Sequence, residues 1–219
     1  MFIIPKPNKN EVEKYLNLWN SKENYVLQEK SLDKLFLTTY PNNTDISDIL
    51  IKASSLNDFY STNIFSIFPM AKHIYNLDID SRLRNADETL VHDIADVVIN
   101  GKRKNFYSFA TKYCSHHSAK DFPIYDSYVE KVLLYFNKTD NFLDFKREDL
   151  KNYSKFKNIL IQFKRFYNID EYNLKEIDMY IWQIGKEYFA KKYWYKNTLT
   201  IFMSNLKKVD IYAIIYIYR

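Results

Sequence analysis

The stretch Ser108–Leu133, SFATKYCSHHSAKDFPIYDSYVEKVL, decides how this chain is read. It sets Lys112 among small and aromatic neighbours, breaks at Pro123, and offers Asp126 as the cap of a new helix, SYVEKVLLYF. Aspartate just ahead of an apolar-periodic run marks a helix start, and a proline stops the preceding helix from running on. An amine and a carboxylate on consecutive helix starts can meet at one point in space. A lysine amine beside a carboxylate is the pairing that Schiff-base chemistry uses.

Working outward, helix signals recur with caps in front of them. Asn10 precedes EVEKYLNLW, Ser31 precedes LDKLFLTTY, and Thr44-Asp45 opens ISDILIKASSL. Beyond a polar break at Asn57-Asp58, STNIFSIFPMAKHIY reads as a helix that Pro69 bends or restarts. Asp87 starts ETLVHDIADVVI, which ends at the helix-stop pair Asn100-Gly101. Two longer helices are predicted over 148–168 and 173–191, with Trp182 on the inner face of the second. The tail Val209–Tyr218 is β-branched and aromatic, and reads as a strand or a buried extended arm.

Composition narrows the choice further. Two glycines and five prolines in 219 residues are too few for a many-stranded fold and suit helices joined by polar loops. The fold class expected is all-α, with helices in one globule or in two lobes around a cleft, as a single domain over 1–219. A single cysteine, Cys114, excludes an internal disulfide and fits a reducing, cytoplasmic setting. Pro5 and Pro7 interrupt the start before a signal-peptide core can form, and no apolar run is long enough to span a membrane. The net charge of +5 permits a nucleic-acid partner without establishing one. His116 and His117 are adjacent, so on a helix they point about 100° apart and do not face one ion.

Phe122–Leu133 resembles the aspartate motif of the helix-hairpin-helix DNA glycosylase superfamily, in which a Pro-aliphatic-x-Asp step begins a helix. Thr111-Lys112 resembles the pair that bears the catalytic lysine in its bifunctional members, and the whole chain is similar to a small bacterial branch with the 8-oxoguanine DNA glycosylase fold. The resemblance implies an enzyme acting on double-stranded DNA with no cofactor and no metal. Lys112 would attack the sugar, Asp126 would take its proton or stabilise the cationic sugar, and a damaged or modified base would leave. Ser54–Asp58 resembles the small polar stretch that fills the gap left by a flipped base, and the DNA-binding set implied is Asn57 within it, Tyr60 just beyond it, and Gly101, Lys102, Arg103 and Lys104 at the hairpin. Trp182 is a candidate wall for the base pocket.

Two features depart from the family pattern. The hairpin, Ile99–Asn105, has one glycine and added charge in place of a glycine-rich turn, and Lys112 and Asp126 are 14 positions apart (126 minus 112), about one helical turn closer than in the family. These departures define the alternative expectation, a catalytically inactive module that binds nucleic acid or protein. Action on a modified base in RNA or on a free nucleoside is a third.

Overall fold

The computed structural model describes residues 3–190, and the tail read as strand or arm lies outside them. The chain is mostly helical, as expected. Helix α1 (Lys9–Asn20) buries Val12 and Tyr15, and its cap is Asn8 rather than Asn10, accepting from the Glu11 amide at 3.1 Å. Next comes α2 (Glu23–Asp33), which widens into a π-turn over Lys34–Thr39. Ser31 therefore sits inside the helical run, its hydroxyl donating to the Leu27 carbonyl instead of capping.

Asp45 caps α3 (Ile46–Tyr60), which ends at Ser61 in the left-handed conformation. In α4 (Ile67–Asn76), Pro69 falls within the first turn, where the missing N–H has no intrahelical partner to lose, so no bend is needed. Two short helices, α5 (Asp80–Arg84) and α6 (Leu90–Ala95), lead to the main departure from the expected all-helical pattern. The expected helix to Ile99 stops at Ala95, and Asp96–Ile99 (β1) pairs antiparallel with Lys102–Asn105 (β2), Asp96 opposite Asn105 and Ile99 opposite Lys102. Asn100 and Gly101 both take positive φ, 51° and 71°, the two-residue turn whose twist matches a β-hairpin. The stretch read as a junction between helices is a β-ribbon.

The ribbon runs into α7 (Tyr107–His117), and then an extended segment reaches α8 (Ser127–Asp140). A 3₁₀ turn at Arg147–Lys151, α9 (Tyr153–Phe166) and α10 (Leu174–Phe189) complete the described chain. Helix α7 is the central element, buried at every position from Phe109 to His116. Helix α10 packs on both α8 and α1, and Gly185 sets how closely. A Cβ added there would stand 2.4 Å from the Tyr128 Cβ and 2.9 Å from the Tyr128 carbonyl oxygen, so only glycine lets α10 lie against the start of α8. No helix among the described residues is long and apolar enough to cross a membrane.

Candidate active site

Side-chain hydroxyls from α7 and α9 hold the backbone of the segment ahead of α8. The Thr111 hydroxyl accepts from the Tyr125 amide at 3.1 Å, and the Tyr153 hydroxyl donates to the Pro123 carbonyl at 2.9 Å. The segment ahead of α8 is thereby held extended along α7. Asp126 caps α8, one oxygen accepting from the Tyr128 amide at 2.8 Å, which leaves the other oxygen to face α7. There it lies 3.5 Å from the Lys112 ammonium. The sequence reading set both residues at neighbouring helix starts; Asp126 is at one, Lys112 lies instead in the middle of α7, and the structure brings the two together.

Lys112 is 3% exposed. Its ammonium donates to the Ser108 hydroxyl at 2.7 Å and to the Tyr125 carbonyl at 3.5 Å, and it stands 5.2 Å from the centroid of the Tyr60 ring. Burial lowers its pKa, while the Asp126 and Asp178 carboxylates pull it back up. A lysine so placed reaches the free-amine state more readily than a surface lysine.

Both residues line a cavity of about 300 Å³. Its aromatic wall comes from α1, α2 and α10: Trp19 lies edge-on to Trp182 at 5.8 Å, and Tyr25 edge-on to Trp182 at 5.5 Å. Tyr128 approaches Trp182 at 6.4 Å. The Lys186 ammonium sits 5.0 Å over the Trp182 ring and 4.9 Å over Tyr25, closing that side. The polar wall is Asp178, with Lys175 paired to Glu29 beside it. Asp178 is 8% exposed, and its Oδ1 meets no hydrogen-bond donor among the described residues. Burial lifts its carboxyl to about 7, against the pull of Lys175 and Lys112.

The other residues singled out from sequence take different places. Tyr60 is a cavity wall, its hydroxyl 3.1 Å from His116 Nε2 and 3.4 Å from Glu29, so its ring faces inward instead of toward an outside partner. Asn57 ties the turn after α3, accepting from the Thr62 hydroxyl and the Ile64 amide and donating to the Ile64 carbonyl. Gly101, Lys102, Arg103 and Lys104 are on the exposed ribbon, where Arg103 is paired with Asp96. The two histidines diverge as expected, His116 toward Asp33 and Tyr60, His117 toward Asn43 and Lys52. Glu29, Asp33 and His116 bring three ligand atoms within 4.8 Å of one another, a set able in principle to hold a metal ion. Glu29 is already held by Lys175, and His116 lies within hydrogen-bonding reach of Tyr60. Cys114 is fully buried and its thiol is pushed up by burial, which fits a packed apolar residue and not a nucleophile.

Of the residues that line the cavity, the sequence reading singles out Lys112, Asp126, Trp182 and, as a DNA contact, Tyr60, and does not single out Asp178, Trp19 or Tyr25. One signal for Asp178 was available: it lies four residues before Trp182, on the same face of α10.

Fold and site together define a mostly helical protein with a lysine–carboxylate pair in an aromatic cavity. The HI_0787_N family, described as an N-terminal domain, matches residues 11–121. A protein of Haemophilus influenzae with the name "Uncharacterized protein" is 48% identical over 185 residues, which cover 84% of this chain and 88% of that one. The chain belongs to this family. No solved structure matches it.

Proposed function

We propose that the protein is a DNA glycosylase with coupled lyase activity, removing a damaged or modified base through a Schiff base on Lys112. The observation that carries this reading is the Lys112 amine 3.5 Å from the Asp126 carboxylate, both facing a cavity with aromatic walls. A base stacked in a duplex is out of reach of any side chain, so it would be rotated out of the helix into this cavity, between Trp182 and Tyr60. An N–H on its edge would find an acceptor in the unpaired Oδ1 of Asp178.

Asp126 takes a proton from Lys112, and the freed lone pair attacks the deoxyribose C1′. The bond from C1′ to the base breaks, and the base departs with the electron pair. Opening of the sugar ring, with O4′ taking the proton that Asp126 holds, leaves an iminium between Lys112 and C1′. The Asp126 carboxylate then takes a C2′ proton, and the electrons of that C–H bond expel the 3′ phosphate. Asp126 also opposes the positive charge that builds on the sugar as the base leaves.

The test is borohydride trapping with duplexes carrying 8-oxoguanine, uracil or an abasic site. A covalent adduct is expected with at least one duplex and none with Lys112→Ala. No adduct on any duplex, or equal adduct from the variant, refutes the reading. One observation favours a second reading, a binding module without chemistry: the Lys112 ammonium is already engaged by Ser108, Tyr125 and Asp126. That reading predicts duplex binding with no adduct.

A further inference from the structure

The outward side of α4 carries a row of aromatic rings that nothing in the described chain covers. Phe65 is 101% exposed, Phe68 57% and Tyr75 45%, with exposed Lys72 between them. Positions 65, 68, 72 and 75 are three and four residues apart, so they form one stripe of the helix and its entry turn. The opposite stripe, Met70, Ala71 and Ile74, is fully buried. Large exposed apolar groups gathered on one face mark a contact surface.

Two observations indicate what the face meets. Strand β1 packs against α4, and its partner β2 is exposed at every position and reads Lys102-Arg103-Lys104-Asn105. Of these three cations only Arg103 has a carboxylate partner among the described residues, Asp96. Flat rings spaced by a lysine, on a helix whose neighbouring ribbon carries unpaired cations, complement a polyanion that also exposes stacking faces; an apolar protein surface would not call for the cations. The row follows in sequence on Phe59, Tyr60 and Ser61, which line the cavity.

We infer that this face docks duplex DNA beside the extruded nucleotide, the ribbon lysines against phosphates and Phe65 and Phe68 against bases left unstacked. The inference rests on the proposed function for its choice of nucleic acid and extends it to residues outside the cavity. It also gives the ribbon the role that a turn between helices was expected to fill.

The experiment is fluorescence anisotropy with a duplex containing a tetrahydrofuran abasic analogue, which has no base to release, compared with an unbroken duplex over a series of salt concentrations. For Lys102→Ala/Lys104→Ala, affinity falls for both duplexes and the slope of log K against log salt shrinks by about 1.8, two phosphate contacts' worth. For Phe65→Ala/Phe68→Ala, the slope is unchanged and binding to the abasic duplex weakens about tenfold, with little change on the unbroken one. All four side chains are exposed, so the fold survives, and circular dichroism checks it. Wild-type binding by either variant overturns the inference, as does failure of the parent protein to bind DNA or its preference for single-stranded RNA. Trapping separates the two proposals. Binding effects as stated with no adduct leave the docking surface standing without the chemistry, while a normal adduct with unaltered binding removes the docking surface alone.

Discussion

Asp178→Asn should make the protein more stable at pH 8 and flatten its pH dependence. The Asp178 carboxyl is lifted from 3.8 to about 7 by burial, with Lys175 and Lys112 opposing the shift and Asp126 and Glu29 adding to it. The folded state therefore holds this proton over a range where the unfolded chain has lost it. For a carboxyl raised in this way, the contribution to stability is full below the unfolded value and is lost as pH rises through about 7. Each pH unit between the two values is worth about 1.4 kcal/mol, so a gap of roughly three units costs at most about 4 kcal/mol at pH 8. Asparagine has nearly the same shape and no charge to desolvate. Allowing for an amide that lacks a partner, the variant should gain about 2–4 kcal/mol at pH 8, and the gain should shrink to about half or less at pH 5. Urea unfolding followed by tryptophan fluorescence at pH 5, 6, 7 and 8 measures both. Parallel curves for the two proteins across this range, or a variant less stable at pH 8, would refute the reasoning. A charge kept in the cavity at such a cost is expected of a ligand-facing group, because stability is given up where a partner is to be bound.

Gly185→Ala forces a methyl group to within 2.4 Å of Tyr128 Cβ and separates α10 from α8. A loss of about 1–3 kcal/mol is expected in the urea midpoint, and a neutral result would mean that the two helices are less closely set. Trp182→Ala removes the wall shared by Tyr25, Trp19 and Tyr128, so trapping on base-bearing duplexes should fall while the abasic duplex, which has no base to seat, is trapped as before. Equal losses on both would place Trp182 in the scaffold instead. Asp126→Asn keeps a side-chain oxygen for the Tyr128 amide, so the helix start should hold, while the melting temperature falls because the buried Lys112 ammonium loses its paired carboxylate. Single-turnover base release should slow about a hundredfold, the scale of a lost acid–base group. An unchanged rate would remove Asp126 from the chemistry.

Most helices were legible because their signals are local. Asp45 and Asp126 cap where an acidic residue precedes an apolar stripe, and α9 and α10 fall inside the ranges their periodicity predicts. The ribbon was not, because Asn-Gly serves two structures. After a helix it supplies the left-handed residue of a stop, and between strands it supplies two positive φ values. What distinguishes them here is the run Val97-Val98-Ile99, β-branched residues that favour a strand, with Val97 buried and Val98 63% exposed in the alternation a ribbon requires. Ser31 failed as a cap for a related reason. A serine inside a helix satisfies its hydroxyl on the carbonyl four residues back, and nothing local in the sequence separates that from a helix start.

The site divides along the same line. Lys112 and Asp126 are joined by a short path through Thr111 and Tyr125, so a reading of one segment could pair them. Their surroundings are assembled across the whole described chain, with Trp19 and Tyr25 near one end and Asp178 and Trp182 near the other. The residue that lets these parts meet is Gly185, whose contribution is an absent side chain. In sequence a glycine within a helical pattern signals only a weak position, costing about 1 kcal/mol against alanine. Its value appears once α8 is seen lying against it, since any side chain there would push Trp182 away from Tyr128 and open the aromatic wall. The lysine–carboxylate pair is thus written in one stretch of sequence, while the cavity that surrounds it depends on helix contacts that no single stretch encodes.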